Sequence, residues 1–183
     1  MKIRKTLLEG AVEIECTPHR DARGWFARYF CQEELDEING GREIVQINSS
    51  FTKLVGTIRG LHYQIAPHEE DKIVRCISGK IYDVMVDNRK QSPTYGLCHG
   101  VVLDAEIMNM VYVPKGFAHG FQTLTEDCQV LYLHTQSHSP QSEDGFFYNS
   151  PELEINWPME VSDLSERDEH LKLFTKSNTR EVI

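Results

Sequence analysis

This chain has little that would tie it to a membrane, a nucleic acid or an oxidising compartment. No stretch approaches the ~20 apolar residues that a bilayer-spanning helix requires. The opening MKIRKTLLEG has no sustained apolar run of the kind a signal peptide carries. Basic charge is scarce: 19 Lys and Arg stand against 28 Asp and Glu, a net charge of -9. Without a general positive field, neither a phosphate backbone nor an anionic membrane is an expected partner. An anionic small molecule is still compatible with that balance if a few cations converge in a pocket. The five cysteines (Cys16, Cys31, Cys76, Cys98 and Cys128) are scattered, odd in number and without a CxxC pair. They read as reduced thiols packing as small hydrophobes in a cytoplasmic protein. There are no repeats and no low-complexity tracts. At 183 residues, a single domain spanning 1–183 with a sizeable core is expected.

What the chain does have is alternation. Apolar and polar residues alternate through most of the middle, as in half-buried strands. Ile73 to Ile77, then the turn Ser78-Gly79-Lys80, then Ile81 to Asp87 read as two strands. Val101 to Leu103, Met110 to Val113 and Gln129 to Thr135 follow at the short spacing of a sandwich or barrel. Gln32 to Asn39 is the best helix candidate, ended by Gly40-Gly41. Glu154 to Trp157 reads as a short strand, and Asp163 to Asp168 as a turn leading into a short terminal helix. The expected fold is all-β: an antiparallel β-sandwich of jelly-roll type with short helices at its edges.

The chemistry concentrates in three segments: Arg59-Gly60-Leu61-His62-Tyr63-Gln64, Pro114 to Phe121, and Val130-Leu131-Tyr132. They supply a general base, cations for phosphate and a phenolic acid, a set suited to moving protons on an anionic carbonyl compound. In a small jelly roll, inward positions of several strands converge on a cavity. By period two, Val130, Tyr132 and His134 share one face, and so do Ile81, Asp83 and Met85. An aspartate on so apolar a strand either faces a polar cavity or is a hydrogen-bonded core residue. The spacing Pro114-x-Gly116-x-x-His119 is half of the cupin metal signature. However, Gln64 stands where such a site would place its second histidine. The other histidines (His19, His68, His99, His134, His138 and His170) complete no ligand set, so no metal is expected.

The residues resemble the dTDP-4-dehydrorhamnose 3,5-epimerase family, cupin-fold enzymes of nucleotide-sugar metabolism. The likeness runs through Asp21-Ala22-Arg23-Gly24-Trp25-Phe26, Gln46-Ile47-Asn48-Ser49-Ser50, RGLHYQ and Lys72. It continues through IYDVMVDNR, SPTYG, VPKGFAHGF, VLYL, INWP and LSERD. It implies a nucleoside diphosphate 4-keto-6-deoxyhexose as substrate, whose C3 and C5 protons are acidified by the C4 ketone. His62, with an ordinary imidazole pKa near ~6.5, would be the base. Asp168 would orient it, Lys72 would stabilise the enolate, and Tyr132 would reprotonate carbon from the opposite face. No cofactor is implied. Arg59 and His119 would hold the diphosphate or sugar. Arg23 and Phe26 would clamp the nucleotide from the partner subunit of a homodimer. Gln46, Asn48, Asp83, His138 and Arg167 fall to substrate binding. Pathway analogy adds a surface polysaccharide such as O-antigen as destination.

Two departures bear on specificity. Where the family usually has glutamate, this chain has Arg28. A guanidinium suits cytosine N3, an acceptor, whereas a carboxylate suits thymine N3–H. Arg28 is thus read either as a switch toward CDP-sugars or as plain charge near the phosphates. Where relatives commonly have a second tyrosine bordering the sugar, His138 stands; exchange at C3 is expected to be retained, and turnover is read either as full, at C3 and C5, or as restricted to one carbon, C3 ahead of C5. A sugar 3,4-ketoisomerase and a catalytically silent nucleotide-sugar binder are the competing readings.

Overall fold

The computed structural model describes residues 1–176, so the single-domain expectation over 1–183 extends beyond the described residues. In chain order the elements are β1 (Lys2–Lys5), β2 (Val12–Glu15), β3 (His19–Asp21), β4 (Gly24–Phe26), α1 (Gln32–Asn39), β5 (Gln46–Thr52) and β6 (Ile58–Gln64). There follow β7 (Lys72–Ser78), β8 (Lys80–Asp87), β9 (Cys98–Asp104), β10 (Asn109–Val113), β11 (Phe117–Thr123), β12 (Cys128–His134), β13 (Glu143–Gly145) and α2 (Glu166–Glu169).

Two antiparallel sheets face each other, with orders β1-β2-β10-β7-β12-β5 and β13-β6-β11-β8-β9. The β3–β4 hairpin stands apart from both. This is the expected all-β sandwich with short peripheral helices. The turn at Ser78-Gly79-Lys80 is present, but it joins strands of different sheets: β7 belongs to the six-stranded sheet and β8 to the five-stranded one.

Alternation along these strands sends one set of apolar side chains between the sheets. Val74, Cys76, Ile81, Met85, Leu103, Val111, Phe117, Phe121 and Val130 form that central core, all 2% exposed or less. Burial of each large side chain contributes roughly 1.5–3 kcal/mol. The outer face of the six-stranded sheet is covered by α1, whose Leu35 packs with Ile14, Ile73, Tyr112 and Leu133. Gly40 ends α1 in the left-handed conformation (φ 64) and donates its N–H to Asp36, as the sequence leads one to expect. The outer face of the five-stranded sheet is covered by the C-terminal segment through Phe146, Leu153 and Phe174.

Glu154–Trp157 is not a strand. A 3-10 turn over Pro151–Leu153 ends with Glu154 at φ 49, which turns the chain out of any extended line. Ile155 and Trp157 then pack against the sheet's outer face, Trp157 edge-on to Tyr82. Apolar alternation there reflects docking, not pairing. The converse case is β5, which carries no alternation of the ordinary sense. Its polar residues point inward because they line a cavity.

Candidate active site

The two sheets part at one end to leave a cavity of about 1070 Å³. Register decides what lines it. On the six-stranded sheet β5, β12 and β7 lie side by side, so cross-strand partners form rungs: Gln46–His134–Lys72, then Asn48–Tyr132–Val74. Gln46, Asn48 and Ser50 from β5, Tyr132 and His134 from β12, and Lys72 from β7 all reach the cavity. The opposing wall comes from β6 and β11, where His62 and His119 are direct register partners. The imidazole of His62 and the phenol of Tyr132 therefore enter one cavity from different sheets.

Two glycines allow this wall to form. Gly60 has φ +119, and a Cβ there would sit 2.6 Å from the Gly120 Cα and 2.7 Å from the His119 carbonyl oxygen. Gly120 would likewise meet the Arg59 carbonyl at 2.6 Å. Backbones of β6 and β11 touch at this point, directly beside both histidines.

His62 is oriented by α2. Ser165 caps that helix, accepting the Asp168 N–H at 3.1 Å. The Asp168 carboxylate, 3% exposed, takes the His62 ring nitrogen Nε2 at 2.6 Å and the Gly60 N–H at 3.1 Å. Burial by itself would raise the Asp168 pKa. The hydrogen bond from His62, with the Gly60 and Ser165 contacts, outweighs burial and holds it below the usual carboxylate value. A carboxylate facing Nε2 fixes hydrogen on that nitrogen, which leaves Nδ1 as the basic lone pair.

Tyr132 is held by Ser50, with hydroxyls 2.9 Å apart. Burial is the main reason its pKa is pushed up to about 12, against the smaller opposing effect of the Ser50 hydrogen bond. It remains a phenol at neutral pH and so keeps its proton. Lys72 is 9% exposed, and Glu70 accepts from its Nζ at 3.0 Å. Arg59 stands at the rim, its Nε donating to Thr52 Oγ1 at 2.8 Å.

Asp83 lies behind the wall. It is fully buried, and its Oδ2 is 2.7 Å from His119 Nε2. Asp83 does not itself line the cavity; it backs a cavity histidine from mid-strand, and its Oδ1 has no partner among the described residues. At the mouth, Glu143 joins His138 (3.1 Å) to Arg167 (3.0 Å). Gln46 Oε1 accepts the His138 backbone N–H at 3.0 Å, which ties the β12 exit to β5.

Arg23, Phe26 and Arg28 are not brought to the cavity of their own chain. Arg23 and Phe26 sit on the exposed β3–β4 hairpin, Arg23 paired with Asp21 at 2.6 Å and Phe26 73% exposed. Arg28 pairs with Glu34 of α1 at 2.5 Å. Sequence reasoning missed Ser50, Glu70 and Glu143. Glu70 hides in the acidic run Glu69-Glu70-Asp71, which reads as a solvated loop, and Glu143 follows a 3-10 turn that carries no motif. Among the described residues, no group of three or more His, Cys, Asp and Glu side chains gathers as metal ligands would.

A model of the dTDP-4-dehydrorhamnose 3,5-epimerase family matches residues 5–176. A dTDP-4-dehydrorhamnose 3,5-epimerase from Shigella flexneri is 38% identical over 170 residues, 92% of this chain and 93% of that one. The crystal structure of dTDP-4-dehydrorhamnose 3,5-epimerase from Elizabethkingia anophelis matches with a TM-score of 0.91 at 37% identity, over 97% of this chain and 98% of that one. That of ChmJ, a 3'-monoepimerase from Streptomyces bikiniensis in complex with dTDP-quinovose, matches at 0.86 and 33% identity, over 92% and 85%. With the match running from β1 to the last described residue, the chain belongs to the dTDP-4-dehydrorhamnose 3,5-epimerase family.

Proposed function

We propose that this protein is a cofactor-independent isomerase that inverts C3 of a dTDP-linked 4-keto-6-deoxyhexose. One observation carries the reading: an oriented base, His62, and a protonated phenol, Tyr132, enter one cavity from opposing sheets. The C4 ketone acidifies the hydrogen on C3. His62 Nδ1 takes that proton from one face, and the electron pair moves into an enolate whose oxygen lies at the Lys72 ammonium. Tyr132 returns a proton to the other face, the carbonyl re-forms, and solvent restores both groups. Arg59 and His119 hold the diphosphate or sugar, with Asp83 steadying His119. Gln46, Asn48, His138 and Arg167 line the sugar's surroundings.

The substrate is read as dTDP-linked because the family is. The commitment of Arg28 to Glu34 supports a role for it in joining the hairpin to α1, rather than in reading cytosine. Restriction to C3 rests on His138, which at the cavity mouth is engaged by Glu143 in place of a tyrosine. A homodimer fits the exposed apolar surface. Val45 leads into the edge strand β5, and with Ile47 and Phe51 it is more than half exposed, while Trp25 and Phe26 of the hairpin are 50% and 73% exposed. A second copy seated there would bring Arg23 and Phe26 toward the neighbouring cavity. All five cysteines are free, which suits a reducing cytoplasm. Delivery of the product to a surface polysaccharide such as O-antigen is part of the same reading. Neither a ketoisomerase nor a silent binder is favoured by the family match.

Proton NMR in D₂O with dTDP- and CDP-4-keto-6-deoxyglucose tests the proposal. The expected result is deuterium at C3 with inversion, faster on the dTDP-sugar. Deuterium with inversion at both C3 and C5 would overturn the single-carbon reading. No exchange from a protein that still binds dTDP would overturn the epimerase reading itself.

A further inference from the structure

Lys72 and His134 are register partners on β7 and β12, and both face the cavity. The loop before β7 brings Glu70 between them. One carboxylate oxygen is 3.0 Å from Lys72 Nζ and the other 2.7 Å from His134 Nδ1. All three side chains are buried, with residue exposures of 8%, 9% and 8% for Glu70, Lys72 and His134. The other ring nitrogen of His134, Nε2, is sealed from solvent and has no hydrogen-bond partner.

That orphan nitrogen defines the charge of the cluster. Nδ1 faces a carboxylate and so carries hydrogen. A hydrogen on Nε2 as well would be a sealed, unpaired cationic donor, which is far costlier than an unpaired lone pair. His134 therefore donates to Glu70 through Nδ1 alone, and Lys72 shares that carboxylate with it. A lysine on a flexible four-carbon stem has no fixed position by itself. Here Glu70 accepts one of the three ammonium hydrogens. His134 occupies the second carboxylate oxygen, so that the carboxylate cannot swing to grip the ammonium with both. No other hydrogen bond from Lys72 Nζ occurs among the described residues. Two of its donors stay available to the cavity.

We infer that Glu70 and His134 are positioning residues that aim the Lys72 ammonium at the developing enolate oxygen. The inference rests on the role given to Lys72 in the proposed function. It predicts coupling, because each residue acts only through the lysine.

The test is a double-mutant cycle read by C3–H exchange in D₂O, with KM, kcat and dTDP affinity measured separately and a thermal melt for each variant. Glu70→Gln is nearly isosteric, and it is expected to lower kcat about tenfold, or 1.4 kcal/mol, with dTDP affinity unchanged. His134→Phe should lose a similar factor. His134→Gln, whose amide can still donate to Glu70, should recover most of it. In the Lys72→Met background, Glu70→Gln should cost nothing further. Wild-type kcat in folded Glu70→Gln would overturn the inference, as would the same loss with and without Lys72. If Lys72→Met alone kept the wild-type rate, the reading of Lys72 would fall, and the inference with it. That outcome is distinguishable because it does not involve Glu70.

Discussion

Asp168→Asn is expected to slow C3–H exchange by about 10²–10⁴ while leaving the cavity closed and folded. The magnitude follows from hydrogen-bond arithmetic at one carboxylate. Asp168 accepts from His62 Nε2 through one oxygen (2.6 Å) and from the Gly60 N–H through the other (3.1 Å). An asparagine has one acceptor oxygen and one NH₂. If the oxygen serves Gly60, the NH₂ faces His62 and forces its Nε2 to accept. The ring hydrogen then moves to Nδ1, and the base is blocked by its own proton. If the oxygen serves His62, the NH₂ faces the Gly60 N–H and a buried donor is left unpaired, at about 1–3 kcal/mol. Gly60 cannot retreat, because its backbone already touches Gly120 and His119. The first arrangement sacrifices rate and the second sacrifices stability. The second corresponds to a fall in melting temperature of about 2–10 °C for a domain of this size. NMR exchange rates at C3 together with a melting curve separate the two. Exchange within about threefold of wild type, from a protein with an unchanged melt, would refute the argument that Asp168 sets the His62 tautomer.

Further outcomes follow from the same geometry. Tyr132→Phe should retain exchange at C3, since His62 still removes the proton, but lose inverted product by about 10² or more; equal loss of both would place Tyr132 on the wrong step. Arg28→Glu should leave the preference between dTDP and CDP as it is, because Arg28 is bound to Glu34; a reversal measured by calorimetry would make it a base reader after all. Gly60→Ala should destabilise by more than about 2 kcal/mol, from the positive φ and the clash with Gly120, and a denaturant midpoint near wild type would count against that strain. Acidification has a defined sign. Asp168, Asp87 and Glu70 all have pKa values below their ordinary ones despite burial, held there chiefly by His62, by Arg89 and by His134 respectively. A carboxyl with a depressed folded pKa contributes stability that is fully present above its unfolded value of about 4 and is lost as pH falls through the folded value. Melting temperature should therefore hold between pH 7 and 5 and drop below about pH 4; stability that rose from pH 5 to 3 would contradict these pairings.

Much of the architecture follows from local pattern. Alternation from Ile73 to Asp87 and from Gln129 to Thr135 is the signature of half-buried strands, and those segments are β7, β8 and most of β12. Leu35 and Ile38 on one face, with Gly40 behind them, suffice for α1. Alternation misleads at Glu154–Trp157, where apolar residues dock on a sheet without joining it. It is silent at β5, where the cavity reverses the usual sense of inside. The residue types of the chemistry, His62, Tyr132, Lys72 and Asp168, are recognisable from their motifs.

The sequence by itself determined which groups this protein can use: a histidine, a phenol, an ammonium and a carboxylate on a β-rich frame with too little positive charge for a polyanion. The tertiary structure alone decided their relations. That His62 and Tyr132 belong to opposing sheets depends on strand pairing, β6 with β11 in the five-stranded sheet and β12 with β7 and β5 in the six-stranded one. That Asp168 reaches His62 from 106 residues away depends on α2 docking beside β6. That Glu70 stands between Lys72 and His134 depends on the register of β7 against β12. Pattern along a chain encodes which face of a strand is buried, because burial is a local choice repeated every second residue. Which buried faces meet, and in what register, is settled by packing between segments far apart in sequence.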